Sequence, residues 1–461
     1  MTAERVRGSF RDPAGFVFTA GGTLYRQVNR SFSDEYDACV SSGLYDDLIA
    51  SGLLVAHRDV GAGVAATPDA HAVIEPARIP FVSYPYEWSF GQLRDAALLT
   101  LDVQARALDR GFVLRDASAY NVQHVDGGPL FIDTLSFERY RDGVPWAAYR
   151  QFCGHFLVPL ALMSARDVRC SRLQREWLDG IPLDLGSALL PRASWLRAGL
   201  LLHVHLHARA MRRYASASVA EVTGGRRVGK DALLRLVASL RDTVQGLDWR
   251  PAGTTWAGYA SDHNYSDRAV ESKRRLVREY VAAVAPRTVW DLGGNTGTFS
   301  RVAREAAGFV ICFDADPAAV ELNHREVRAR KETGLLPLQM DLMNPSPANG
   351  WAHEERLSLE ARGPADLVMA LALVHHLAIA NNVPLPALAE WLARLGRSLL
   401  IEFVPKSDSQ VARLLANRAD IFPHYTPEGF ERAFDAAWRL EARQRVDDSE
   451  RTLYLLRRRE G

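Results

Sequence analysis

Three groups of residues have types and spacings that could do chemistry. The first is Thr288 to Ala306, TVWDLGGNTGTFSRVAREA, an apolar strand pattern that turns through glycines into a helical pattern. Glycines at 293, 294 and 297 let backbone approach a ligand closely, and the helix start offers free N–H groups. About twenty residues later VICFD ends in Asp314, where a carboxylate can accept both hydroxyls of a ribose through charge-assisted hydrogen bonds. The spacing is not GxGxxG, which counts against a dinucleotide pyrophosphate. The second is LRDASAYNVQHVDGGPLFIDTLSF, in which Asp116, Asn121 and Asp133 have the spacing of a metal-nucleotide site. The third is His375-His376 after ADLVMALALV, joined by Glu402 in RSLLIEFVPK; both types can take a proton at a strand end. His203, His205 and His207 would share one face of a strand, but the surrounding pattern is helical and scatters them.

The elements that position these groups follow from length and pattern. A chain of 461 residues suggests two domains or three. Hydrophobic content of 48% supports real cores. Net charge of +1, from 56 basic and 55 acidic residues, gives no electrostatic case for a nucleic-acid partner. Four cysteines without CxxC spacing suggest neither a disulfide framework nor a zinc site, and a reducing compartment fits them. The N-terminus has no apolar signal region and no apolar run is long enough to span a bilayer, so a cytoplasmic protein is expected. TLYRQV after Gly21-Gly22 reads as a strand, and SDEYDACVSSGLYDDLIASGLL as one amphipathic helix. A long helix over 90–110 stops at Gly111, and the pattern is helical from Trp146 to about Tyr214. A linker is expected near 215–230, then a bridging helix, DALLRLVASLRDTV. After Asp267, helix and strand alternate, which argues for a parallel sheet covered on both faces. The expected division is 1–214, a linker and bridging helix over 215–253, and 254–461.

From Thr254 to Arg458 the chain resembles, motif after motif, the class I S-adenosylmethionine (SAM) methyltransferases. Asp291, Gly293 and Gly297 match the D-x-G-x-x-x-G motif, with Gly294 and Asn295 between. The resemblance implies a seven-stranded Rossmann-like α/β sheet closed by an antiparallel pair, WRLEARQRV and RTLYLLRR. It implies ribose contacts at Asp314 and Asp316, adenine contacts at Asp341 and Leu342, and a lid carrying Tyr265 and Lys273. Methyl transfer to oxygen also needs a base, for which His375, His376 and Glu402 are candidates. Each motif has a plainer reading. The glycine turn can be a tight connection, Asp314 a cap before Pro317, the paired histidines structural, and Asn381 and Asn382 helix caps.

The upstream group resembles kinase-like phosphotransferases of the aminoglycoside- and choline-kinase type, with their bilobal α+β fold. That implies Asp116 as the base, magnesium on Asn121 and Asp133, and ATP against residues 15–85. Departures are plain: no His precedes Asp116, Thr134-Leu135 follows Asp133, and Arg26 is the nearest cation to the usual lysine place. Glu35 or Asp37 would be its helix partner. An active kinase, a kinase-like domain that now binds substrate or partner, and a chance pattern all stay open. The expected function is SAM-dependent methyl transfer to oxygen or nitrogen of a small molecule, glycan or lipid-linked precursor. The rival is a nucleotide-binding scaffold or phosphotransferase that senses SAM. A nucleic-acid substrate would need KRRLVRE and the terminal LRRR to form one basic patch.

Overall fold

The structure, a computed structural model, describes residues 3–213, 228–251, 266–416 and 419–460. The expected linker lies largely outside these residues, and Tyr265 lies outside them altogether. The chain divides into two compact units, Met1–Arg250 with Gly350–Glu355, and Pro251–Asn349 with Arg356–Gly461.

The first unit opens with a five-stranded antiparallel sheet. Its strands are β1 (Glu4–Arg5), β2 (Gly15–Ala20), β3 (Thr23–Asn29), β4 (His57–Asp59) and β5 (Ala70–Pro76), in the order β1-β2-β3-β5-β4. The Gly21-Gly22 turn joins β2 and β3, both glycines holding positive φ. The single helix expected after β3 is two, Ser33–Ser41 and Leu44–Ala50, because Gly43 takes the left-handed conformation at φ +70°. The long helix Phe90–Asp109 is capped by Ser89 and Gln92 in a capping box and buries Leu93, Ala97, Leu101 and Leu108. Short strands β6 (Phe112–Leu114), β7 (Val122–Val125), β8 (Gly128–Phe131) and β9 (Phe137–Arg139) follow, pairing β6 with β9 and β7 with β8. The helical stretch from Trp146 is broken into short pieces by turns at Asp167, Pro182 and Pro191. The helix Lys230–Gln245, expected as a bridge, belongs to the first unit. It buries Leu233, Val237, Leu240 and Val244, and its Arg241 pairs with Asp102 at 2.5 Å on the long helix.

The second unit is a helix-covered seven-stranded sheet. Its strands are β10 (Thr288–Leu292), β11 (Phe309–Asp314), β12 (Leu335–Gln339), β13 (Ala365–Ala370), β14 (Gly396–Phe403), β15 (Trp438–Arg445) and β16 (Thr452–Arg458). Their order is β12-β11-β10-β13-β14-β16-β15, with β10 to β14 parallel and the last two antiparallel. The seven strands and the closing antiparallel pair are those the resemblance implies. The parallel strands are nearly continuous apolar runs because helices cover both faces. Val289, Val310, Leu367, Met369 and Leu400 anchor the core with Leu276 and Val277 of the helix Asp267–Val284. At the outer edge β15 exposes six of its eight side chains, among them Arg439, Glu441, Arg443 and Arg445. The strand order reverses between β10 and β13, so the crevice of this sheet lies past the carboxyl ends of those strands.

Candidate functional site

The loop after β10 is folded against the end of β11. The N–H groups of Gly293 and Gly294 both donate to the Phe313 carbonyl, at 2.8 and 3.0 Å. Gly293, Asn295 and Gly297 all hold positive φ, so the turn doubles back before the helix Thr298–Arg304 begins. A Cβ at Gly294 would lie 2.5 Å from Cys312 Sγ and 2.7 Å from Asp291 Oδ2. Gly294→Ala is therefore expected to lower the unfolding free energy by about 1–3 kcal/mol, measured by urea denaturation.

Asp291 sits under this loop rather than on it. It is 1% exposed, and Ser300 Oγ donates to its Oδ2 at 2.6 Å. Burial pushes its carboxyl up to about 6, against the opposing pull of the Ser300 hydroxyl and the Lys273 ammonium. Asp314, at the end of β11, accepts the Asn295 N–H on Oδ2 and the Asp316 N–H on Oδ1, each at 2.8 Å. Burial likewise raises Asp314 to about 6, with those two backbone donors working the other way. The glycine turn and Asp314 are thus brought together, one hydrogen bond apart. The cap before Pro317 is Asp316, whose Oδ1 accepts the Ala318 N–H at 2.8 Å, so Asp314 is spared that task. Asp341 lies just past β12, where its Oδ1 accepts the Met343 N–H at 3.0 Å, with Leu342 beside it half-buried.

Past β13 the chain makes a second turn. Ala372 carries φ +51°, a left-handed conformation unusual for a residue with a side chain. Its N–H donates to Glu402 Oε2 at 2.7 Å. The same oxygen accepts Lys273 Nζ at 2.6 Å, and Arg451 lies 3.8 Å from the other oxygen and 2.7 Å from Asp408. Glu402 is wholly buried and Lys273 is 2% exposed, so the carboxylate expected as a base braces the loop, and the lysine expected in a lid braces Glu402. His375 is fully buried, and neither ring nitrogen has a hydrogen-bond partner among the described residues. Burial pushes its imidazole down to about 3, leaving it neutral. His376 is half-buried, packs tilted against His375 with ring centroids 4.1 Å apart, and opens a π-turn, His376–Ala380. Asn381 Nδ2 closes that turn on the His376 carbonyl at 2.8 Å, a capping role. An open cleft of about 680 Å³ lies where the β15–β16 turn meets Ser407, Asp408 and Ser409, lined also by Arg445, Asp447 and Glu450.

In the first unit Asp116, Asn121 and Asp133 also come together. Asp116 accepts the Ser118 N–H at 2.9 Å, and burial with the neighbouring Asp133 raises its carboxyl. Asn121 Nδ2 donates to Ser136 Oγ at 3.2 Å, and that hydroxyl donates to Asp133 Oδ2 at 2.8 Å. Arg26 does not pair with Glu35 or Asp37. Glu35 pairs with Arg139 at 3.3 Å and Asp37 with His71 at 2.7 Å, while Arg26 reaches Asp133 at 2.7 Å. Asp133 Oδ1 also accepts the Leu135 N–H at 3.0 Å. A guanidinium, a hydroxyl and a backbone donor thus fill both oxygens that magnesium would need, and as they stand Asn121 and Asp133 do not fit that ion. No cluster of three or more His, Cys, Asp or Glu able to hold a metal is present among the described residues. The three spaced histidines serve packing instead. His203 lies between Tyr149 and Ser239, and His205 between Ser187 and Ser194, each contact at 2.8 Å. His207 stacks on Tyr149 at 4.5 Å.

Several partners had no signal in the sequence. Ser300 under Asp291 comes from the helix directly after the glycine turn and Asp408 from the loop after β14, while Arg451 beside Glu402 and Asn323 beneath Gly297 come from more distant elements. Arg26 had a cue, as the cation nearest the usual lysine place, though its partner is Asp133.

No protein-family model matches the chain. Nodulation protein NoeA of Rhizobium meliloti (strain 1021) is 39% identical over 469 residues, covering 99% of this chain and 96% of that protein. Among solved structures, N-methyltransferase NodS of Bradyrhizobium japonicum WM9 with S-adenosyl-L-homocysteine is similar over 45% of this chain and 100% of its own, at 12% identity and a TM-score of 0.32. Magnesium protoporphyrin IX methyltransferase of Synechocystis PCC 6803 with bound S-adenosyl-L-homocysteine is similar over 44% of this chain and 96% of its own, at 16% identity and a TM-score of 0.31.

Proposed function

The chain belongs to the family of nodulation protein NoeA, and on that premise we propose that its second unit transfers a methyl group from SAM to oxygen or nitrogen of a small-molecule, glycan or lipid-linked acceptor. The observation that carries this reading is the Asp314 carboxylate held beside the Gly293–Gly297 turn at a strand-order reversal. When bound, SAM supplies a methyl group already activated on a sulfonium. The glycine loop gives backbone amides close approach, Asp314 takes the ribose hydroxyls, and Asp341 with Leu342 borders the adenine. Asp316 contributes by capping the helix that follows, and Lys273 by holding Glu402. The turn after β13 faces the acceptor, whose alignment and shielding from water are the main work of the protein. His376, which keeps exposed surface, is the base, and neutral His375 backs it. The hydroxyl- and carboxylate-lined cleft at the same sheet end suits a polar acceptor. His376→Ala is expected to lower kcat by about a hundredfold or more with little change in SAM binding. His375→Ala should chiefly lower thermal stability. Incubating the full chain and cell extracts with methyl-labelled SAM, then finding the labelled product by mass spectrometry, tests the activity. Label that never leaves SAM in the presence of the wild type, or transfer unchanged in Asp314→Ala, would refute it.

The basic runs do not favour a nucleic-acid substrate. Arg274, Arg275 and Arg278 pair with Glu271, Glu279 and Glu305, and Arg457 and Arg459 with Glu441 and Asp435.

For the first unit we propose a kinase-like domain that binds substrate or partner without phosphoryl transfer. Supporting this reading, Asp116, Asn121 and Asp133 converge while Arg26 covers the metal ligand. Wild type should leave the electron paramagnetic signal of free Mn²⁺ unchanged, and Arg26→Met should bind the ion. Mg-ATP turnover by the wild type, lost in Asp116→Ala, would overturn it.

A further inference from the structure

The first unit carries an apolar face that nothing above uses. Leu196 is 90% exposed, Leu202 51%, and Trp195 and Leu206 42% each. They are one surface. Trp195 stacks on His205 at 4.3 Å, and Ser194 bonds the same ring, which ties the turn Arg192–Leu196 to the π-helical segment Leu201–Leu206. Leu202 and Leu206 are four residues apart and point to the same side of that helix. The face is rigid, because His203 and His205 on its inner side are each held by two hydroxyls.

Along the chain the segment that carries this face has charge of one sign. Between Asp184 and Arg213 the chain contains five arginines and no carboxylate. All five, Arg192, Arg197, Arg209, Arg212 and Arg213, are exposed. An exposed tryptophan and leucines flanked by arginines are the composition of a segment that lies in the plane of a membrane surface. No helix among the described residues is long and apolar enough to cross a membrane, so the contact would be superficial.

We propose that this face, centred on Trp195, Leu196, Leu202 and Leu206, docks the protein on an anionic lipid surface. A second copy is a poorer occupant, since a two-fold contact would set the arginines of this segment against one another. A nucleic acid would satisfy the arginines and leave the leucines without a partner. Anionic headgroups over acyl chains satisfy both. The proposal is independent of methyl transfer.

The test is co-sedimentation of the full chain with vesicles of phosphatidylcholine, with and without phosphatidylglycerol. Binding is expected only with phosphatidylglycerol, falling with added salt. Arg192→Gln and Arg209→Gln should each weaken it roughly fivefold. Leu196→Ser with Leu202→Ser should weaken it by about tenfold or more. Both leucines are exposed, so the helical circular dichroism should stay unchanged, and Ile421→Ser, at an exposed site in the other unit, should bind like wild type. Failure to sediment with anionic vesicles, or binding indifferent to the leucine substitutions, would overturn the proposal. So would a dimer by light scattering that dissociates on Leu196→Ser, which would assign the face to a second copy.

Discussion

Asp314→Ala will weaken SAM binding by about a hundredfold or more, read by titration calorimetry on the full chain. On the proposed reading the ribose would lose two charge-assisted hydrogen bonds, and the Asn295 N–H that shapes the glycine turn loses its acceptor. Asp314→Asn keeps the shape and removes the charge, so it should fall between wild type and alanine. The pH dependence has a definite sign. With Asp314 at about 6, the carboxyl is protonated below that value and accepts fewer hydrogen bonds, so affinity should drop as pH falls through 6. Binding near pH 6 should release protons, visible as heats that vary with buffer. Without ligand the direction reverses. Asp291 and Asp314 both sit near 6, above an unfolded value of about 4, so between these limits the folded state holds more protons. The free protein should therefore lose stability as pH rises from 4 to 6, seen as a falling melting temperature. SAM should offset this loss.

The second large effect is expected inside the sheet. Glu402→Gln leaves the Lys273 ammonium and the Arg451 guanidinium buried without the charge between them, and should lower unfolding stability by about 3–5 kcal/mol. Lys273→Met should cost less, because Arg451 still faces Glu402 while Asp408 holds the other side of Arg451. The double variant should be milder than the sum of the two, which chemical denaturation of all four proteins will measure. Glu402→Gln should also disturb the turn after β13, because Ala372 at φ +51° depends on that carboxylate. A retained melting temperature in Glu402→Gln would rule out a bracing role.

Much of the second unit was legible because its signals are local. Strand, glycine turn and helix follow one another in Thr288 to Arg304, and Asp314 closes the next strand, so period and spacing suffice. The first unit was less legible. Gly43 divides a continuous amphipathic pattern through one left-handed residue that periodicity ignores. Asp116, Asn121 and Asp133 converge as their spacing suggested, but the arginine on Asp133 arrives from β3, far off in the chain. The same holds for Glu402, whose type suggested a base. Its role as a brace depends on Lys273 and Arg451, which come from other elements. Spacing locates groups that neighbours in sequence hold in place; which charge neutralises which is decided by packing.

β15 leaves the rim of the second unit lined with guanidinium and carboxylate groups. A strand laid alongside would have to strip water from those ions for a few backbone bonds. Fibril growth and strand-exchanged assemblies along that border are therefore disfavoured.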